Sequence, residues 1–124
     1  MIKHHRKTAA QLKGSTVRSS AVNVVNGTAY MTVIPPDLAN APTLAEQTRQ
    51  CLAVIEERLA MVGSDKSRIA HVTIWLAHLF DFREMTDIWN DWIDPEHPPV
   101  RACAQVGLAD KDLKVEMIVV ADAS

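Results

Sequence analysis

Cys51 and Cys103 are the only cysteines in 124 residues. Two thiols exclude a disulfide framework and a four-cysteine zinc site, and they suit a reducing compartment, so the cytoplasm is the expected location. No apolar run approaches the ~20 residues of a membrane-spanning helix. Net charge is −2, which argues against a globally basic nucleic-acid binder. Aromatic residues are 5% of the chain. The three Trp residues fall in predicted strand or helix stripes, which leaves no base-stacking platform. His71, His78 and His97 lack metal-ligand spacing, and no phosphate-loop, dinucleotide or nucleophile-elbow motif occurs. No repeat or low-complexity segment is present. The 48% hydrophobic and 23% charged composition is that of a globular chain long enough to bury a core.

The acidic residues are distributed unevenly. None precedes Asp37, so residues 1–36 carry five cations (Lys3, Arg6, Lys7, Lys13, Arg18), whereas residues 37–124 carry eight cations and fifteen carboxylates. A basic, acid-free start resembles an organelle transit peptide. The apolar segment that follows at once favours an ordinary first strand and loop. His4-His5 is read as surface.

Asn26-Gly27 sits between two β-prone runs in residues 22–34, a strong hairpin signal, and Pro35-Pro36 ends the second strand. Thr43 and Glu46 form a capping box. Leu44, Thr48, Leu52, Ile55, Leu59 and Val62 make one helical stripe, and Gly63 stands where the helix stops. The spacing predicts a helix over 43–62. Ile69 to Leu76 reads as a central strand, apolar on both faces. Asp81, with Glu84, is the expected cap of a second helix whose stripe is Phe82, Met85, Trp89 and Trp92. Pro95 and Pro98-Pro99 close it. Strands follow at Val100–Val106 and Leu113–Ala121.

The order is β-β-α-β-α-β-β, with room for one more strand before residue 14. It predicts an α+β fold with a mixed five- to six-stranded sheet and two helices on one face, in a single domain over 1–124. Two helices cover only one face of such a sheet. The apolar residues left on the other predict self-association.

Arg101 and Glu116 are charges inside otherwise apolar strands, and a buried lone charge needs a partner or a ligand. A guanidinium can receive a carboxylate through two parallel hydrogen bonds, and a carboxyl can handle protons or a water. They could also pair with each other. In a simple hairpin of the last two strands Glu116 would face Gln105, leaving Arg101 about 13 Å away. Either these strands are not neighbours or the charges meet something else. Cys103 shares the Arg101 face; it is a small apolar filler or, less in keeping with the absence of a nearby His, a reactive thiolate.

These motifs resemble the RidA/YjgF/YER057c/UK114 family. The likeness spans residues 18–121. It runs through Asn26-Gly27-Thr-Ala-Tyr-Met-Thr-Val-Ile-Pro35, Gln47-Thr-Arg-Gln, Gly63-Ser-Asp-Lys-Ser-Arg-Ile, Asp81-Phe82 and Pro99-Val-Arg101-Ala-Cys103, and ends at Val115-Glu116. Arg101, Gln105 and Leu108 are in a frame similar to the divergent YoaB-like branch. The resemblance implies a chorismate-mutase-like fold and a homotrimer whose sheets form a central barrel, with clefts between subunits. It implies cofactor-independent hydrolysis of enamines and imines, such as 2-aminoacrylate, to 2-keto acids and ammonia. Arg101 matches the arginine that holds the substrate carboxylate, Glu116 the glutamate that serves water or proton transfer, and Cys103 a position whose carbonyl helps hold the water. The chain departs from the family pattern at Arg18 (a cleft tyrosine), Met31 (a serine) and Thr86 (an asparagine), three further candidate substrate contacts with Gln105. Arg18 could add a second anion-binding charge and favour a dicarboxylate or larger acid. The alternatives to a deaminase are a non-catalytic trimer binding small carboxylates and, against the charge balance, RNA binding or endoribonuclease activity.

Overall fold

A computed structural model describes residues 1–124. Its strands are β1 (Lys3–Arg6), β2 (Ser20–Val25), β3 (Thr28–Val33), β4 (Ile69–Leu76), β5 (Val100–Gln105) and β6 (Val115–Asp122). Its helices are α1 (Ala9–Leu12), α2 (Leu44–Met61) and α3 (Phe82–Trp92). The strands form one sheet in the order β1-β2-β3-β6-β4-β5. Neighbours are antiparallel except β4 and β5. That parallel pair requires a crossover, which α3 supplies.

The last strand enters the middle of the sheet. β3 and β4, joined through α2, both run antiparallel to β6, which lies between them. β5 and β6 are therefore not neighbours, which resolves the alternative left open above. β6 alternates between buried and half-buried residues up to Ala121 and ends on exposed Asp122, as a central strand with one covered face should. β4 alternates in the same way from His71 to Leu76, after an irregularity at its start, so the expectation of two apolar faces gives way to one core face and one open face. Ile74, Leu76, Met117, Val119, Ile55 and Leu59 are fully buried between sheet and helices. The additional strand before residue 14 is β1, paired with β2.

Local chemistry sets the remaining elements. Asn26 and Gly27 both adopt positive φ, 50° and 72°, as a two-residue hairpin turn demands. A Cβ on Gly27 would lie 3.0 Å from the Ser124 side chain. Thr43 and Glu46 form the capping box, and Gly63 takes φ 72° just past α2. On α2 the buried Gln47 donates to the carbonyls of Ala41 and Asp112 and accepts from the Lys114 amide. It thereby pins the approach to β6. Asp81 does not cap α3 through its side chain. A 3-10 turn over Leu79–Asp81 runs straight into the helix, and the Asp81 and Phe82 amides already donate to the carbonyls of His78 and Leu79. Leu113 belongs to a turn, its amide bonded to Asp110, so the last strand begins two residues later than its composition suggests. No helix is long and apolar enough to cross a membrane.

Candidate functional site

Arg101 lies on β5, the edge strand, level with buried Val72 of β4. Its side chain therefore points to the helix-covered face. Three residues of α3, spaced four and then three apart, form one stripe beneath it. Thr86 Oγ1 accepts from Nη2 at 3.1 Å. The guanidinium carbon lies 5.5 Å from the ring centres of both Phe82 and Trp89, within cation–π range. Nη1 is buried and has no partner, so one donor of the guanidinium is unsatisfied within the chain.

Cys103 lies on the same face and is half-buried. Burial raises its thiol above the usual value, with the Arg101 charge pulling the other way. The thiolate reading loses ground accordingly. Gln105 accepts from the Leu79 amide at 2.8 Å, tying the loop before α3 to the end of β5.

Glu116 is elsewhere. It stands level with Trp75 on β4, and its sequence neighbours Val115 and Met117 face the core. Its side chain therefore points to the open face of the sheet. There it lines a cavity of about 570 Å³ with Lys7, Tyr30, Thr32, Ile34 and Ile118. It forms no ion pair, and burial raises its carboxyl from the ordinary value. Met31 borders this cavity, but the residue is only 5% exposed and is packed in the core. Arg18 does not line it; it lines an adjoining cavity in the amino-terminal arm.

Arg101, Thr86 and Cys103 are thus brought together, and Glu116 with Lys7 and Tyr30, but the two groups stay apart. Arg101 is level with Val119 through Val72, and Glu116 with Ala104 through Trp75. They point to opposite faces and are offset by three residues, ~10 Å along the strands. The sequence reading placed Phe82 and Trp89 in a core stripe and passed over Lys7 and Tyr30. The 82–86–89 spacing carried the signal for the aromatic support. Nothing local marked Lys7.

The Glu116 environment gives a test of stability. A carboxyl whose folded-state value is raised loses its proton first in the unfolded chain as pH rises. Folded-state stability therefore falls between the unfolded and folded values and stays lower above both. Glu116→Gln removes that loss. It should raise the melting temperature at about pH 7 and leave it unchanged at about pH 3, below the ordinary carboxylate value. Equal gains at both pH values would assign the effect to packing.

The Endoribonuclease L-PSP family model matches residues 9–123. The RutC family protein YoaB of Escherichia coli is 42% identical over 105 residues, spanning 84% of this chain and 90% of YoaB. A crystal structure of a YjgF-family protein from Neisseria meningitidis is similar at a TM-score of 0.84 and 32% identity, covering 98% of this chain and 94% of that one. The 3-aminoacrylate deaminase RutC of Acinetobacter baylyi is more distant, 29% identical over 85 residues, 68% of this chain and 67% of that protein.

Proposed function

The chain belongs to the RidA/YjgF family, the one described by the Endoribonuclease L-PSP model, and from that premise we propose that it is a cofactor-independent imine/enamine deaminase. It hydrolyses 2-imino acids and their enamine tautomers, such as 2-aminoacrylate, to 2-keto acids and ammonia. The observation that carries this reading is the state of Arg101. Its guanidinium is fixed by Thr86 and two aromatic rings, with a buried nitrogen lacking any acceptor. A planar guanidinium so supported, with one donor unpaired, suits a carboxylate. A small acid with a reactive neighbour of its carboxylate fits it, as the relative named for 3-aminoacrylate deamination would suggest.

Because Arg101 and Glu116 face opposite sides of one sheet, one copy's arginine serves a substrate at another copy's glutamate. The site then lies between copies of a homotrimer. The half-exposed Trp75, Ile118 and Val120 and the exposed Tyr30 on the open face provide the apolar surface such an assembly buries. In the reaction, protonated Glu116 gives its proton to the imine nitrogen as water adds to the imine carbon. The carboxylate takes a proton back from that water. The resulting carbinolamine expels ammonia and leaves the keto acid. The upward shift of the carboxyl favours its protonated form and so supports the proton-donor role.

The test generates imines in situ with an amino-acid oxidase, or 2-aminoacrylate with a pyridoxal-phosphate-dependent dehydratase, in the presence of semicarbazide. The protein should suppress semicarbazone formation in proportion to its concentration. Tight binding of keto acids with no suppression across the panel would instead select a carboxylate-binding protein.

A further inference from the structure

The amino-terminal excess of positive charge folds into a cavity. β1, the end of α1 and the loop over residues 15–19 border an open cleft of about 820 Å³ lined by His4, Arg6, Lys7 and Arg18, with hydroxyls that include Ser15 and Thr16; all of these but Lys7 are exposed. No carboxylate lines it. The ion pairs of the chain, Lys66–Glu56, Arg68–Asp122 and His97–Asp94, all lie elsewhere, so Arg6, Lys7 and Arg18 have no counter-charge. Lys7 donates to Ser19 Oγ at 2.9 Å, and His4 Nδ1 lies 3.4 Å from Ser20 Oγ. A concave surface with one sign of charge and several hydroxyls concentrates anions.

This cavity adjoins the one at Glu116. Lys7, Ser19, Ser20 and Asn23 line both, and Glu116 is the one carboxylate in either lining. On the shared wall, Asn23 Oδ1 is buried without a partner. Arg58 of α2 donates from Nη1 to the carbonyl of Thr32, a residue lining the Glu116 cavity, at 2.9 Å. Burial, with the field of Arg58 added, lowers the Lys7 ammonium from its usual value. A cation held this way gains from an anionic partner. Each space is of a size that holds a drug-sized ligand, well beyond the smallest imino acids.

We propose that the basic cavity of Lys7 and Arg18 receives a second anionic group, carboxylate or phosphate, at the far end of a substrate whose reacting carbon sits at Glu116. The inference rests on the deaminase reading for the position of that carbon. It moves substrate choice from 2-aminoacrylate to imino acids with an anionic side chain. It also changes the setting expected for Arg18, which acts from the neighbouring cavity and together with Lys7.

The experiment compares three 2-keto acids by calorimetry on the full chain: pyruvate, 2-oxoglutarate and 3-phosphohydroxypyruvate. Imine trapping is scored in parallel on imines from alanine and glutamate. The wild type should bind at least one doubly anionic acid about tenfold more tightly than pyruvate, and the stronger of the two identifies the group as carboxylate or phosphate. In Lys7→Ala/Arg18→Ala the preference should collapse to within about twofold, whereas Lys7→Arg/Arg18→Lys should retain most of it. Equal affinities in the wild type, or a preference that the double alanine variant keeps, would overturn the proposal. Hydrolysis without such a preference removes the anion site and leaves the deaminase. A preference without hydrolysis removes the deaminase and leaves the site.

Discussion

Arg101→Ala should lower kcat/KM for imine hydrolysis by about a thousandfold while the chain stays folded. Two losses combine. The substrate carboxylate gives up a charge-assisted, two-pronged contact, and the imine carbon is no longer held in register with water and Glu116. Stability changes little because Arg101 is half-exposed on the edge strand and its one hydrogen bond is to a half-buried hydroxyl on α3. Removing it should cost about 1 kcal/mol. Arg101→Lys should rescue little, since an ammonium presents no planar fork to a carboxylate and does not lie flat on Phe82 and Trp89. Steady-state kinetics with thermal melts separates these effects. Activity above half that of the wild type in a folded Arg101→Ala protein would remove the guanidinium from the proposed mechanism.

The parts of the fold set by near neighbours were legible in the sequence. Asn26-Gly27 specifies its hairpin through positive φ, and Thr43 with Glu46 starts α2 through reciprocal hydrogen bonds. The parts set by distant pairing were not. No local signal states that residues 115–122 enter between β3 and β4, because strand order depends on contacts far apart in the chain. The relation between Arg101 and Glu116 follows from that order, so residue spacing could name both charges and still leave their separation open. Side-chain direction followed the same rule. Met31 was expected among the substrate contacts, yet alternation along β3 sends its side chain to the core with Ala29 and Val33. The misread cap at Asp81 is a smaller case: the preceding turn already supplies carbonyls to the amides a cap would serve. The basic cavity depends on how residues 7–19 fold over the sheet edge, and their composition recorded the charge without its location.

Mixing two inactive variants should restore activity. Arg101→Ala keeps Glu116, and Glu116→Gln keeps Arg101. If each site takes its arginine from one copy and its glutamate from the next, neither pure protein has an intact site. After dissociation and reassembly at equal concentrations, a site is intact when a Glu116→Gln copy supplies the arginine and an Arg101→Ala copy supplies the glutamate. Random placement around a closed ring gives that arrangement at about a quarter of the sites. Activity should therefore rise from background to about a quarter of the wild-type value. A covalently double variant, carrying both substitutions on one chain, mixed with wild type follows a different course. There a site survives only when both contributing copies are wild type, so an equal mixture also retains about a quarter per site, well below the half that independent subunits would keep. The two mixtures together distinguish a shared site from one built within a single chain. No recovery in the first mixture, combined with half activity in the second, would show that each chain completes its own site. That outcome would require a route by which one sheet brings its two faces to the same substrate, and the opposed directions of Arg101 and Glu116 offer none.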